Sequence, residues 1–205
     1  MIVTELVEVT KKRSKVYIDH EFAFVLYKGE LRTYGIFVGK EIKEECYAEI
    51  MDEVLPKRAK LRAMNLLMQR SYTQTQLTSK LKDGFYPEEV VEEAIEYVKS
   101  FHYIDDVQYA VDYLTYHEGN KSLKKMEQDL MGKGIGREIF DKAVSIWEEL
   151  GGKCNEQEMI KSLLVKKKYH EDMDFKEKQK IIVFLLRKGF SMDVINKSMK
   201  NDAFI

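Results

Sequence analysis

The chain has 205 residues, 44% of them hydrophobic and only two of them proline, and it carries a net charge of −1 at pH 7. This composition is typical of a folded globular protein of one or two domains and argues against a disordered chain. The balanced charge excludes a bulk polycation of the histone kind. No apolar stretch reaches the ~18 residues that a membrane span needs, and the N-terminal residues lack the long apolar core of a signal peptide. We therefore expect a cytoplasmic protein that does not enter a membrane.

The first 56 residues predict a small β-rich module. Three short segments are rich in β-branched and aromatic residues and partly alternate in polarity, as strands do. These segments are residues 2–10, 15–20 and 21–27. Turns are expected at Arg13 and Ser14 and at the junction of His20 with Glu21. Residues 31–37 fit either a helical turn or a strand.

A helix is predicted over residues 43–55, where apolar side chains recur at helical spacing. Pro56 is predicted to end this helix, because proline restricts the residue before it and has no backbone N–H to donate. We place the boundary between the β-rich module and the rest of the chain at this proline.

Beyond this boundary a fifteen-residue pattern occurs three times without gaps. The copies are residues 81–95, 130–144 and 185–199. Each copy begins with leucine, places an aromatic or isoleucine side chain after a glycine, and ends on a small residue followed by an apolar one. The glycine is Gly134 or Gly189 in the last two copies but stands one place earlier, at Gly84, in the first. Repetition at roughly 50 residues indicates that one supersecondary unit was used three times.

Each repeated unit is predicted to contain three helices. A glycine that follows a helical segment supplies the left-handed residue that ends the helix. A new apolar stripe with the spacing of one helix face then begins, over residues 90–101 in the first unit and 139–150 in the second. The two helices that precede each glycine are predicted at 57–70 and 73–83, at 106–117 and 122–132, and at 155–169 and 174–188. Their starts are marked by capping-box pairs, namely Thr73 with Gln76, Asn155 with Glu158 and Asp174 with Glu177.

The predicted fold class is therefore mainly α. It is an elongated tandem array of three three-helix repeats, preceded by a small β-rich N-terminal module. The predicted parts are residues 1–56, 57–104, 105–151 and 152–205.

Basic side chains concentrate around the first two helices of each predicted repeat, whereas the third helix of the first repeat is acidic. Placed by charge and repeat position, the candidates for a binding surface are Lys80, Lys82, Lys124, Lys125, Lys133, Arg137, Lys176, Lys180, Arg187 and Lys188. Stacked repeats would align such clusters into a basic strip, which is typical of a surface for nucleic acid or for an acidic partner. The alternative is that each lysine belongs to an ordinary solvated helix face.

The sequence offers little support for catalysis. The four histidines lie in different segments, and no phosphate-binding loop or nucleophile elbow is present. The GKGIG segment at residues 132–136 lacks a preceding strand, and the repeat explains its glycines as a helix stop. Asp105 and Asp106 could form a metal-binding pair, but capping of the next helix is the interpretation that we favour. We predict no catalytic residues, no cofactor and no metal site.

Four stretches of the chain resemble motifs of one protein family. The first two are Gln76, Leu77, Lys80, Leu81, Gly84 and Phe85, and then FHYIDD at 101–106 with Tyr109 and Ala110. The others are KSLKKM at 121–126 with Asp129, Leu130 and KGI at 133–135, and the N-terminal segments 17–24 and 34–42. In this order and at this spacing, they resemble the RecX family of bacterial regulators of the RecA recombinase. The resemblance weakens after about residue 151, where only the three-helix pattern persists.

This resemblance implies a function. A RecX-like protein would bind the RecA filament along its groove and would also contact single- and double-stranded DNA weakly and without sequence preference. It would thereby regulate homologous recombination, DNA repair and the SOS response, most simply by inhibition. We expect a monomer without membrane contact. Two departures from the family pattern are Tyr72 and Thr73 in place of Arg-Ser, and Ser122 and Leu123 in place of Gly-Pro.

Two other classes of function stay open. A stand-alone DNA-binding protein would bind duplex DNA tightly without RecA, although the acidic third helices lack the Arg, Asn and Gln residues that base readout favours. A scaffold that binds only proteins through apolar grooves would show an affinity that hardly depends on salt.

Overall fold

The computed structural model describes residues 1–200. The predicted third repeat extends to residue 205, and its last five residues lie outside the described part. The chain forms two compact units, Met1–Asp105 and the part that starts at Asp106.

The first unit begins with a three-stranded antiparallel sheet of order β1-β2-β3. Its strands are β1 (Val3–Thr10), β2 (Arg13–Ile18) and β3 (Glu21–Tyr27). The predicted strands are confirmed, but both turns lie earlier than predicted, at residues 11–12 and 19–20. Arg13 and Ser14 belong to β2 because Ser14, like Val16 and Ile18, points to the buried side of the strand. Asp19 and His20 both take positive φ angles, as a tight hairpin turn requires.

Pro56 does not end a helix, so that prediction is wrong. Helix α1 (Lys28–Thr33) is followed by α2 (Glu44–Glu49), by a π-helical turn (Ile50–Val54) and directly by α3 (Leu55–Leu67). The proline lies in the first turn of α3, just after the widened π-helical turn, where a missing backbone N–H breaks no regular ladder.

Three consecutive helix triplets follow the sheet, as predicted. The first consists of α3, α4 (Gln74–Lys82) and α5 (Glu88–Ser100). The second consists of α6 (Asp106–His117), α7 (Leu123–Met131) and α8 (Arg137–Glu149). The third consists of α9 (Glu156–Lys166), α10 (Phe175–Arg187) and α11 (Met192–Lys200). The capping box of Thr73 with Gln76 is present, with hydrogen bonds of 3.2 and 3.3 Å.

Apolar packing joins the sheet to the first triplet and gives each of the other triplets a core of its own. In the first unit, Phe24 and Leu26 of β3 share one core with Leu77 of α4 and Ala94 of α5. The second unit has two cores, and the half-buried Cys154 touches both.

The last predicted position of each apolar stripe is exposed rather than buried. Phe101 and Leu150 are 54% and 74% exposed, which corrects the prediction. Both residues are C-caps, and the helix ends there, so the side chain no longer lies on the buried face. The rest of the stripe behaves as expected, since Trp147 is only 2% exposed.

A left-handed residue ends the second helix of every repeat. Gly134 and Gly189 have φ angles of +87° and +91° after α7 and α10, as predicted. In the first repeat this conformation belongs to Phe85, with φ of +63°, and not to Gly84. The left-handed residue therefore stands at the same place, the fifth residue, in all three copies of the pattern. Gly84 is required for another reason, because a Cβ there would lie 2.9 Å from the Tyr86 ring.

Candidate functional site

The candidate cations of the first repeat are Lys80 and Lys82, near the C-terminal end of α4. The Lys80 ammonium lies 3.4 Å from a carboxylate oxygen of Asp83, and that of Lys82 lies 2.6 Å from Glu88. The hydrogen bond from Lys82 lowers the pKa of Glu88. Exposed ion pairs of this kind contribute little to stability, so both lysines can exchange these partners for an external anion.

Two lysines of the second repeat converge on one carboxylate. Asp129 of α7 accepts hydrogen bonds of 2.8 Å from Lys121 and from the Tyr113 hydroxyl, while Lys125 lies 2.8 Å from its other oxygen. Burial alone would raise the pKa of Asp129, but the bonds from Lys121, Lys125 and Tyr113 outweigh burial and hold this pKa well below its usual range. The aspartate is therefore ionised at neutral pH, and the two lysines keep an excess positive charge.

The other three candidates of this repeat differ from one another in their surroundings. Lys133 is half-buried, and its ammonium lies 5.9 Å from the centroid of the Tyr113 ring. Lys124 is exposed on α7. Arg137 forms ion pairs with Glu127 and, at 3.0 Å, with Asp141. Lys133 thus adds to the Asp129 cluster, whereas the charge of Arg137 is balanced by its own acidic neighbours.

Three candidates of the third repeat lie along one exposed face of α10. Lys176, Lys180 and Arg187 line a shallow cleft of about 540 Å³ together with Val183 and Phe184. Their spacing of four and seven residues returns to the same side of a helix, which explains the alignment. The structure places these three side chains together on α10, and their role as a binding surface stays a prediction.

Lys188 connects the third repeat with the second. Its ammonium donates a hydrogen bond of 2.9 Å to the carbonyl oxygen of Asn120, and its own carbonyl accepts one of 3.0 Å from the Ser122 N–H. Burial and the positive charges of Lys121, Lys166 and Lys167 lower the pKa of Lys188. The candidate residues of α7 and of the end of α10 are thereby brought to one junction within the second unit.

The candidates placed by charge and repeat position do not include Lys121, Asp129 and Tyr113, which belong to this cluster. Lys121, Lys125 and Asp129 recur at intervals of four residues, and this spacing is a signal in the sequence that places Lys125 and Asp129 on one side of α7, with Lys121 just before the helix. The part played by Tyr113 depends on the packing of α6 against α7, for which the sequence gives no local signal.

Ser122, one of the residues that depart from the family pattern, is the N-cap of α7. The Ser122 hydroxyl accepts a hydrogen bond of 3.2 Å from the Lys125 N–H and caps α7. The side chain is fully buried, so the cap is shielded from water. This cap fixes the first turn of α7, from which Lys124 and Lys125 project.

Neither a membrane span nor a metal cluster is found in the described part. Over residues 1–200, no helix is both long and apolar enough to cross a membrane. In the same range, no three His, Cys, Asp or Glu side chains are placed to hold a metal ion together. The candidate site consists of basic surfaces on the helical repeats.

The fold defines a tandem three-helix repeat protein, and comparisons with known proteins identify the family. Residues 59–97 match the family model described as "RecX, first three-helix domain". Residues 155–199 match "RecX, third three-helix domain". Regulatory protein RecX of Caldanaerobacter subterraneus subsp. tengcongensis is 31% identical over 204 residues, which cover 97% of this chain and 98% of the relative. Regulatory protein RecX of Clostridioides difficile is 29% identical over 191 residues, which cover 90% of this chain and 87% of the relative.

Solved structures agree with these relatives. The crystal structure of a regulatory protein RecX aligns with a TM-score of 0.58 at 26% identity, over 96% of this chain and 98% of that one. The crystal structure of RecX from Lactobacillus salivarius also has a TM-score of 0.58, at 25% identity, over 74% of this chain and 99% of its own. The chain belongs to the RecX family of regulatory proteins.

Proposed function

We propose that this protein is a non-enzymatic regulator that binds the RecA–DNA filament along its groove and inhibits the recombinase, ATPase and co-protease activities of RecA. Its membership of a family of regulatory proteins supports a regulatory role. The partner itself is inferred from the sequence resemblance and from the chemistry of the candidate surfaces.

The observation that carries this proposal is the excess of cations at the junction of the second and third repeats. Lys121 and Lys125 share the single carboxylate of Asp129, and Lys133 and Lys188 lie close to the same group of side chains. Fixed positive charge of this kind favours a polyanion such as the phosphate backbone of DNA.

Binding in this proposal is distributed over several weak sites. The surfaces on α4, on α7 and on α10 would each contact phosphate or an acidic side chain of the filament. Contacts that are linked on one chain raise the overall affinity without any deep pocket. Each neutralised phosphate releases counterions, so the affinity must fall as the salt concentration rises.

Charge reversal tests this proposal. Lys124→Glu combined with Lys133→Glu leaves the ion pairs of Asp129 in place and reverses two positive charges of the surface. We expect weaker inhibition of RecA ATP hydrolysis on single-stranded DNA, with an unchanged circular dichroism spectrum. The matched control is Lys142→Glu, which reverses an exposed lysine of α8 in the same repeat and should leave the inhibition as it is. Equal inhibition by the double variant and the control would show that the basic surface on α7 does not contribute to the inhibition of RecA.

Two binding measurements separate the two alternative functions, one with duplex DNA in the absence of RecA and one with the filament at several salt concentrations. A stand-alone DNA-binding protein predicts tight and sequence-selective binding to duplex DNA without RecA. A scaffold that binds proteins alone predicts an affinity for the filament that hardly changes with salt. The proposed function requires RecA for tight binding and a clear dependence on salt.

A further inference from the structure

Lys188 has surroundings that differ from those of an ordinary surface lysine. It follows α10 directly, and its ammonium lies over the Phe184 ring, 5.2 Å from the centroid. The ammonium of Lys167 lies over the same ring at 4.7 Å. The Lys188 side chain is half-buried and donates to the carbonyl oxygen of Asn120, so its amine is held in one place and is still reachable from solvent.

Three lysines act on this amine through their charges. Lys166 and Lys167 approach from the end of α9, and Lys121 approaches from the loop before α7. His117 at the end of α6 is also within electrostatic reach, but burial and the nearby lysines lower its pKa and so favour its neutral form. Asp129 is already shared by Lys121 and Lys125. A small anion is therefore attracted to the space around Lys188.

The same cations make the amine a better nucleophile. Burial and the charges of Lys121, Lys166 and Lys167 lower the pKa of Lys188, so a larger fraction of its amine is neutral at a given pH. Each unit by which a lysine pKa falls increases this fraction about tenfold. Neutral lysines that are desolvated or lie beside another cation are the ones that act as nucleophiles in proteins.

We propose that Lys188 is a site of Nε-acylation by small anionic acyl donors of the acyl phosphate class. Lys166, Lys167 and Lys121 would hold the phosphate group of the donor, while the amine fixed at Asn120 would face its acyl carbon. Attraction of the donor and reactivity of the amine thus arise from one cluster of side chains.

The reaction is a balanced acyl transfer. The lone pair of the neutral amine attacks the acyl carbon and forms a C–N bond. The bond between the acyl carbon and the phosphate oxygen then breaks, and phosphate leaves with its electron pair. The proton lost by the nitrogen goes to the departing phosphate or to water. The products are an amide on Lys188 and inorganic phosphate, so no oxidant, reductant or metal is needed.

Acylation would change the junction between the second and third repeats. The amide keeps one N–H for the carbonyl of Asn120 but loses the positive charge and adds bulk beside Phe184. If the proposed function holds, the modification would also weaken binding to the filament, because one cation of the surface is removed. This last consequence depends on the proposed function, whereas the modification itself does not.

Incubation of the full chain with acetyl phosphate, followed by mass spectrometry of the digested protein, tests the proposal. We expect the initial rate of acetylation at Lys188 to be severalfold that at Lys142, the exposed lysine of α8. Added inorganic phosphate should lower the rate of acetylation at Lys188, because it competes with the donor for the cations, and should leave the rate at Lys142 unchanged. Lys167→Gln should lower the rate at Lys188 as well, because it removes one of the cations that attract the donor.

The preference must depend on the folded structure. In urea, where the cluster is dispersed, Lys188 and Lys142 should react at the same rate. A rate at Lys188 in the folded chain that is no higher than that at Lys142 would overturn the proposal. Because the assay contains neither RecA nor DNA, its outcome is independent of the proposed function.

Discussion

The backbone N–H of Ser122 donates a hydrogen bond of 3.0 Å to the carbonyl oxygen of Lys188 and so joins the second repeat to the third. This bond lies beside Gly189, whose position leaves no room for a side chain. A Cβ at Gly189 would collide with Ser122 Oγ and with the Cβ of Lys125. The two repeats therefore meet backbone to backbone at this point, with the Asp129 cluster next to the contact.

Gly189→Ala should destabilise the chain because it combines a steric collision with a left-handed φ of +91°. We expect the free energy of unfolding to fall by about 2–4 kcal/mol, as measured by urea denaturation. Gly119→Ala is the matched control, since Gly119 also has a positive φ but nothing within 4 Å of the added Cβ. For Gly119→Ala the free energy of unfolding should fall by only about 1–2 kcal/mol, which is the cost of the left-handed conformation for alanine. Equal costs for the two variants would contradict the close contact at Gly189.

Ser122→Ala should lower the free energy of unfolding by about 1 kcal/mol, because α7 loses the side-chain cap that accepts from the Lys125 N–H. Urea denaturation measures this loss. Ser145→Ala is the control, since the Ser145 hydroxyl only donates to the carbonyl of Asp141 on the exposed side of α8. Equal stability of the two alanine variants would contradict the capping role of Ser122.

Asp129→Asn should destabilise the protein at neutral pH by about 1–3 kcal/mol, because Lys121 and Lys125 lose the charge that they share. The folded pKa of Asp129 lies well below its ordinary value of 3.8. Its contribution to stability is therefore complete above that value and is lost as the pH falls below it towards the folded pKa.

Acid titration of the unfolding free energy checks this sign. Between about pH 4 and pH 2 the wild-type protein should lose more stability than Asp129→Asn does. Asp141→Asn is the control, because Asp141 pairs with Arg137 on the exposed surface and its removal should matter little. Parallel acid profiles for the wild type and Asp129→Asn would contradict the lowered pKa of Asp129 in the folded protein.

Phe85→Gly should be more stable than Phe85→Ala by about 1 kcal/mol, which is the reverse of the order that these two residues have inside a helix. Both variants lose the contact of Lys15 with the Phe85 ring, which measures 4.1 Å to the centroid. Only glycine also relieves the strain of the left-handed conformation. Thermal or urea unfolding of the two variants decides the order, and a more stable alanine variant would mean that Phe85 is not strained.

The sequence predicts the helix triplets well because their signals are local. Apolar stripes, capping pairs and the glycines at 134 and 189 each act within one or two helical turns, and the structure places a helix wherever they occur. The exchange of roles between Gly84 and Phe85 could not be predicted. It depends on the Tyr86 ring, which excludes a side chain at position 84, and on Lys15, a residue of the sheet.

The remaining errors also arise from contacts that are distant in sequence or from rare backbone geometry. Pro56 is tolerated because a π-helical turn precedes it, and such a turn has no simple local pattern in the sequence. The sequence shows the candidate lysines as basic clusters, but it does not show which side chains and carbonyl groups they contact. The sharing of Asp129 by two lysines and the contact of Lys188 with Asn120 both require the packed structure.

Extension of RecA filaments on single-stranded DNA, followed at several salt concentrations with the purified chain in substoichiometric amounts, tests the central claim most directly. We predict that the chain slows extension and that the effect weakens steadily as salt is raised, because phosphate contacts on the basic surfaces are lost. Unchanged extension at every salt concentration, with the folded protein present, would contradict the proposal that this protein inhibits the RecA filament.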